Sequence, residues 1–490
     1  MARNKALIIV LLLSVVGTGY AQTPQECYEA FKKQARQQYN DFRTNANKQY
    51  AEFVKQSWRK FRALEPIPHP IEKNIPPVVC PEEERQKERK NERQVFSDVI
   101  SAPQPKPQPE PVSPIPPSPE PISRQQDTIV FSYYGMDMAC VVETLPRLTL
   151  KSLEEEDIAE GWGILSSGPY DALLGQCLAI RRQYRLNDWG YLRLLSQIGE
   201  NAIGQKGNES TLLTAWLYCQ SGYKMRLARS EDGNLYMLFA CEGVIYDQYY
   251  YAFGDEKYYP YGICEEDELE ICEASFPKEQ SMSLLIAETP RFPTQNPIRK
   301  ELTYPEMSVT TEINPSLLSF YGDYPSGALT DFMGSRWAMY AMTPISEEVR
   351  QSLYPQLKQK IIGKGQVDAT NELLTFVQKA FVYAYDDSIW GADRAFFAEE
   401  TLFYPYSDCE DRSILFSKLV KDLVGLDIVL LYFPNHVATA VKFTEEPPNG
   451  DYLELSDGRY LIADPTYTGA TVGMTMPLFQ NEKAIVITLK

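Results

Sequence analysis

The stretch from Ser407 to Asp464 constrains this chain more than any other, because it dictates a helix and three strands in a fixed succession. Ile414, Leu415, Leu419, Leu423 and Val424 recur at helical spacing behind Asp408-Cys409-Glu410-Asp411-Arg412-Ser413, and Gly425 stands where a left-handed glycine ends a helix. Ser407 and Asp408 are N-capping residue types, so Cys409 falls in the first turn, where open backbone N–H groups and the helix dipole favour a thiolate. A cysteine so placed can titrate below its ordinary ~8.5, toward roughly 3.5–7.5, when a cation also stands by. Asp427 to Phe433 reads as a strand, Pro434-Asn435 as a turn, and His436 opens an apolar run, Val437 to Phe443. A third strand, Arg459 to Ala463, ends in Asp464-Pro465.

A thiol at a helix start, an imidazole at a strand start and a carboxylate at a strand end make a set with chemical meaning. Thiol attack on an acyl group needs a nucleophile, a base for its proton and a carboxylate that fixes the imidazole tautomer. The chain has two histidines, and the other, His69, lies between prolines near the N-terminus. Taken singly, such a cysteine is more often a small buried hydrophobe and an Asp before Pro more often a turn residue. Together, on these elements, the three favour catalysis.

Asp408-Cys409-Glu410-Asp411-Arg412, Asn435-His436-Val437-Ala438 and Tyr460-Leu461-Ile462-Ala463-Asp464-Pro465-Thr466-Tyr467 resemble the core motifs of the transglutaminase-like superfamily, over roughly residues 320–490. The resemblance implies a papain-like α+β catalytic domain, its Cys helix packed on an antiparallel sheet, with Cys409 as nucleophile, His436 as base and Asp464 as orienting acid. It implies an exported bacterial cysteine enzyme that acts on amide bonds of a protein, peptide or cell-envelope substrate without a cofactor. Peptidase, amidase and cross-linking activities all fit, because nothing in the residues fixes water or an amine as acceptor. The Cys409 N–H is one natural oxyanion donor; Trp390, Tyr404 and Tyr406 are candidates for the second. A papain-type protease fits less well, since its histidine lies much farther downstream, and a Cys-His-His cell-wall peptidase would need a second histidine after His436. The reading from another class is a catalytically inactive binding or envelope-scaffolding protein that keeps the fold.

The chain before this core falls into four parts. Residues 1–21 read as a signal peptide, with Arg3 and Lys5, an apolar core from Ala6 to Val16 and a small-residue end, so the expected location is periplasmic or secreted. In residues 22–100, Gln25 to Leu64 reads as one amphipathic helix. Its stripe of Tyr28, Phe31, Tyr39, Phe42, Tyr50, Phe53 and Phe61 has the spacing of a coiled-coil-like seam, awaiting its own chain or a second copy. Residues 101–123 are a proline-rich linker, with ten prolines between Pro103 and Pro121. Residues 124–290 recover the composition of an α+β domain, and 291–490 form the domain that carries the motifs.

Within the middle domain, Asn208 to Tyr250 repeats the layout helix, glycine, strand, turn, strand, strand, Asp. Either it is a degenerate copy of the C-terminal unit or it is a pattern common to α+β domains. As a copy it would set Lys206-Gly207 at the place of Cys409, Leu235 at that of His436 and Asp247 at that of Asp464. Besides Cys409 there are eight cysteines (Cys27, Cys80, Cys140, Cys177, Cys219, Cys241, Cys264 and Cys272), an even set that suggests disulfides in an exported protein. The formal charge of −18 argues against nucleic acid and anionic membrane as partners. No metal-ligand spacing is visible, and Glu265-Glu266-Asp267-Glu268 reads as a solvated acidic loop.

Overall fold

The computed structural model describes residues 24–71, 75–85, 92–111, 126–166, 169–304, 307–391 and 393–489. The expected signal segment and most of the expected linker lie outside them. The described chain is mixed α+β and is built on two mainly antiparallel sheets. Among the described residues, no helix is long and apolar enough to cross a membrane.

Helix α1 (Pro24–Val54) carries the aromatic stripe but stops short of Leu64. Only its C-terminal half is sealed: Ala46, Tyr50 and Val54 are buried, whereas Tyr28 and Phe31 stay exposed. Tyr50 packs on Trp162, ring centroids 4.4 Å apart. Asn47 bridges the Trp162 indole N–H, which donates to its Oδ1 at 3.0 Å, and the Gln220 amide. Past Val54 the helical period yields to sheet pairing, because a neighbouring strand offers complementary partners: Lys60 meets Glu268 and Arg59 meets Glu273 across the edge.

The N-terminal segment supplies three strands, β1 (Trp58–Arg62), β2 (Arg93–Gln94) and β3 (Ser97–Ser101). The middle of the chain supplies helix α2 (Asn208–Gln220) and strands β4 (Met225–Arg229), β5 (Leu235–Cys241), β6 (Tyr251–Phe253), β7 (Glu256–Pro260) and β8 (Glu268–Cys272). The C-terminal part supplies helices α3 (Gln366–Ala380) and α4 (Cys409–Leu419) and strands β9 (Asp427–Phe433), β10 (His436–Lys442), β11 (Asp451–Leu455), β12 (Gly458–Ala463) and β13 (Ala484–Thr488).

The middle sheet runs β1-β8-β4-β5-β7-β6, and the C-terminal sheet runs β3-β13-β9-β10-β12-β11-β2. Apart from the extra edge strand β2, the two orders are the same, strand for strand. In both, a helix leads into a central antiparallel hairpin, and a second hairpin and a late strand flank it. The outermost strands differ in direction: β1 is antiparallel to β8, and β3 is parallel to β13. Register carries the comparison to single residues. Leu235 and His436 each open the second hairpin strand; three residues further, Leu238 pairs with Pro260 and Thr439 with Ala463. Tyr261 therefore occupies the place of Asp464, correcting the expected match with Asp247. Asp247 instead follows a short strand, Val244–Ile245, that leaves the sheet to pair with Gly327–Ala328.

Of the eight cysteines expected to pair, seven (Cys80, Cys140, Cys177, Cys219, Cys241, Cys264 and Cys272) are free thiols, Cys264 half-buried and the others buried, and the side chain of Cys27 lies outside the description. The expected disulfides are thus not formed among them; they behave as small core residues, and burial pushes Cys241 up to about 12 and Cys140 and Cys272 up to about 11. The N-terminal strands tie residues 58–101 into both sheets, so removing residues 22–101 should leave a chain that is insoluble or melts at least about 10 °C lower. A thermal scan of the truncated protein checks this; an unchanged melting temperature would contradict the interleaving.

Candidate active site

Helix α4 is buried along its whole length, Glu410, Asp411, Arg412 and Lys418 included. Each charge has a partner that fixes the helix in place. Arg412 donates from Nε to Ser407 Oγ at 3.1 Å and from Nη2 to the Phe381 carbonyl at 2.9 Å. Asp411 accepts from the N–H of Phe396 at 2.9 Å and from that of Asp408 at 3.3 Å, the latter closing half of a capping box. Ser413 Oγ donates to the Val437 carbonyl at 2.9 Å, which docks the first turn of α4 on the start of β10. Cys409 lies one turn before Ser413 on the same helical face.

The turn into β10 has two residues, and its second, Asn435, takes φ of 57° to close it. His436, paired with Phe433, is 1 % exposed and its ring stacks on Phe479 at 4.8 Å, nearly parallel. Its Nε2 meets Asp464 Oδ2 at 2.9 Å. The other oxygen of Asp464 accepts from the N–H groups of Thr466 and Tyr467, at 2.8 and 3.2 Å, so the carboxylate is pinned on both sides. Gln378 of α3 donates to the carbonyls of Asp464, Tyr467 and Ala470 and holds the whole turn.

Pleating decides how these groups approach each other. Val437 and Val441 share core clusters with α4, while Ala438, Ala440 and Phe433 pack with Phe479 on the other face. His436 belongs with the second set. Cys409 and His436 thus reach the same end of the sheet from its two faces. The Cys409 thiol donates to Glu410 Oε2 at 3.0 Å. The structure brings His436 and Asp464 into one bonded pair, and it leaves Cys409 bonded to Glu410 on the helix that packs against the other face of the sheet.

Cys409 opens into a cavity of about 800 Å³ between the two sheets, shared with Asn435, Tyr383, Asp386, Trp390 and Arg394. Trp390 lines this cavity with the Arg394 guanidinium over its ring at 5.1 Å, and Tyr404 packs edge-on against Trp390 at 4.8 Å. Tyr406 lies in a short strand paired with Val382–Tyr383 and is 38 % exposed. Pro68 to Ile71, and Ile75, edge the cavity from the N-terminal segment: the His69 N–H donates to Asp247 Oδ1 at 3.0 Å, and Tyr383 donates to the Ile75 carbonyl at 3.3 Å.

Sequence spacing missed Tyr383, Asp386 and the strap that carries His69. The cavity floor is acidic. Carboxylate oxygens of Asp386, Asp408 and Glu410 all lie within 4.8 Å of one another. Burial, with Glu410 adding repulsion, pushes Asp386 up to about 7 and Asp408 well above the usual carboxylate range. Glu400, buried beside Arg394, is pushed up to about 7 by desolvation.

Comparison of the chain with protein-family models, with curated proteins and with solved structures gives no match.

Burial also lowers the Lys418 ammonium, to about 8. The unfolded chain keeps that proton to about 10.5, so the buried charge opposes folding below pH 8 and ceases to do so as pH rises toward 10.5. Lys418→Met should therefore add about 1–3 kcal/mol of stability near neutral pH, with the gain shrinking toward zero above about pH 10. Denaturant melts across that range measure it.

Proposed function

We propose that this protein is a cysteine acyltransferase or amide hydrolase of transglutaminase-like type, with a papain-like catalytic unit centred on Cys409, His436 and Asp464. The observation that carries the reading is the pinned His436–Asp464 pair at the end of β10, with the helix that begins at Cys409 bonded to the next residue of that strand. The middle half is the same unit without the chemistry: Asn208 opens its helix, and Leu235 and Tyr261 stand where the imidazole and carboxylate would be. Asn208 Oδ1 even accepts the Leu235 N–H at 2.9 Å, so a helix start meeting a strand start is a property of the shared architecture.

Asp464 takes Nε2, which leaves Nδ1 as the nitrogen that receives the thiol proton. The thiol must exchange Glu410 for the imidazole as its partner. The thiolate then bonds to an amide carbonyl carbon, the oxyanion is met by the Cys409 N–H, and the C–N bond breaks as the imidazolium proton passes to the leaving nitrogen. Water or an amine next attacks the thioester, His436 takes its proton, and the C–S bond breaks. Trp390 is the better placed of the three aromatic candidates for the second donor, because it lines the cavity that Cys409 opens into. The expected substrate is a protein or peptide amide, met by an exported protein in the cell envelope.

A peptide panel followed by ammonia release, amine incorporation and intact-protein mass should reveal an acyl adduct on Cys409. Cys409→Ala should abolish the adduct and lower turnover by about 10³-fold or more, and Asp464→Asn should lower it by roughly 10²–10⁴-fold. Full turnover in Cys409→Ala would remove the enzyme reading. Tight peptide binding with no adduct in the wild type would favour a binding protein that keeps the fold, a role also consistent with a thiol bonded to Glu410.

A further inference from the structure

We infer that the middle unit is a receptor for proline-rich strands: a groove beside Gly222, which residues 103–111 of the same chain occupy, takes an equivalent strand from another polypeptide. The segment reaches the groove from the C-terminal sheet, where the Ala102 N–H donates to the Thr488 carbonyl at 3.2 Å. Proline stands at 103, 105, 107, 109 and 111, so the stretch can form neither helix nor inner sheet strand and is extended in advance. Pro103, Lys106 and Pro109 lie three apart, the repeat of a polyproline strand, and so share one edge of it. That edge faces the middle unit: Pro103 is half-buried, Lys106 pairs with Glu242 at 2.6 Å, and Pro109 is buried. Gln104, Pro107 and Glu110 stand on another edge and are exposed.

The receiving surface is shaped for close backbone approach. Helix α2 is followed by Ser221 and Gly222, and Gly222 takes φ of 93°. A side chain at Gly222 would run into the Glu110 carbonyl and the Pro109 ring, so glycine here serves both the turn and the strand lying over it. Gln108 Nε2 donates to the Leu186 carbonyl at 3.3 Å. The groove thus reads the strand at three places: a cation at 106, an amide at 108 and a ring at 109.

Bonds within the middle unit hold the groove in shape without the strand. The Gly222 carbonyl accepts the Gln280 N–H at 3.0 Å. The Asp188 carboxylate, itself buried, accepts from Arg181 at 2.8 Å and from the Ser283 N–H at 2.9 Å. A cavity of about 380 Å³ stays open beside the segment, lined by Pro105, Pro107 and Pro109 together with Arg181, Asn187 and Ser283. The strand can therefore leave and return without opening the core. A strand extended in advance loses little freedom on docking, so a few contacts suffice to hold it. This binding does not depend on the chemistry at Cys409, and it gives the half that lacks the triad a role of its own.

The full-length protein carrying Pro103→Ser, Pro105→Ser, Pro107→Ser, Pro109→Ser and Pro111→Ser leaves the groove open. A fluorescent peptide of residues 102–111 should bind it one to one in an anisotropy titration. The wild type should bind the peptide about tenfold more weakly, because its tethered strand competes at an effective concentration of about a millimolar. A peptide with serine for every proline should also bind about tenfold more weakly, having its extended form to pay for in lost freedom. Glu242→Lys in the opened protein should weaken binding about two- to fivefold, and a peptide carrying Lys106→Glu should recover it. No binding at millimolar peptide would overturn the site, as would equal binding of the serine peptide or equal binding by the opened protein and the wild type. Should the opened protein fail to fold, the wild type decides alone. Excess labelled peptide should then saturate it and be displaced by unlabelled peptide but not by the serine peptide; a signal that never saturates would overturn the inference.

Discussion

The docking of α4 on the C-terminal sheet is the constraint from which the rest follows. A helix buried on every side cannot rotate or slide when its polar groups are matched to fixed partners: Arg412 to the Phe381 carbonyl and Ser407, Asp411 to the Phe396 amide, Ser413 to the Val437 carbonyl. Burying Arg412 without those acceptors would cost several kcal/mol, so the helix has one seat. That seat places Cys409 at the rim of the cavity and the start of β10 within reach of its first turn. The Asp464 turn is held by Gln378 of α3, whose own carbonyl also accepts from Arg412. The two pieces thus approach one end of the sheet from its two faces.

Much of this was legible in the residues, and the reason is locality. The α4 period, the Gly425 stop and the Pro434-Asn435 hairpin all depend on neighbours a few positions away, and the structure places Gly425 at φ of 77° and Asn435 at 57°. The sheet edges were not legible. β1, β2 and β3 pair with strands far along the chain, and their sequences carry no period of their own. Trp58 to Arg62 even continues the helical stripe that precedes it, and only the partner strand decides its form. The middle unit has the expected strand order, but two of its equivalent positions shift: its helix opens at Asn208 rather than at Lys206-Gly207, and Tyr261 rather than Asp247 takes the last place, because Val244–Ile245 resembles a sheet strand while the hairpin that belongs there is the short pair Tyr251–Phe253 and Glu256–Pro260. Asp386, which joins Asp408 and Glu410, sits on a separate short helix, so no spacing rule could have gathered the three.

The site carries a tension between its two halves. A helix N-terminus favours a thiolate, yet the residues around Cys409 are mostly acids, and its own hydrogen bond runs to Glu410. Burial has driven Asp386, Asp408 and Asp411 toward their neutral forms, which limits the repulsion but does not supply a cation.

Whether the imidazole and the sulfur communicate is the claim on which the chemistry stands. The chain has two histidines, so a ¹⁵N-imidazole spectrum holds two ring systems, and a His69→Gln variant assigns them. Alkylating Cys409 should move the Nδ1 resonance of His436 while its Nε2, held by Asp464, changes little. A His436 spectrum that is the same before and after alkylation would show a ring that never meets the sulfur, and would contradict the account.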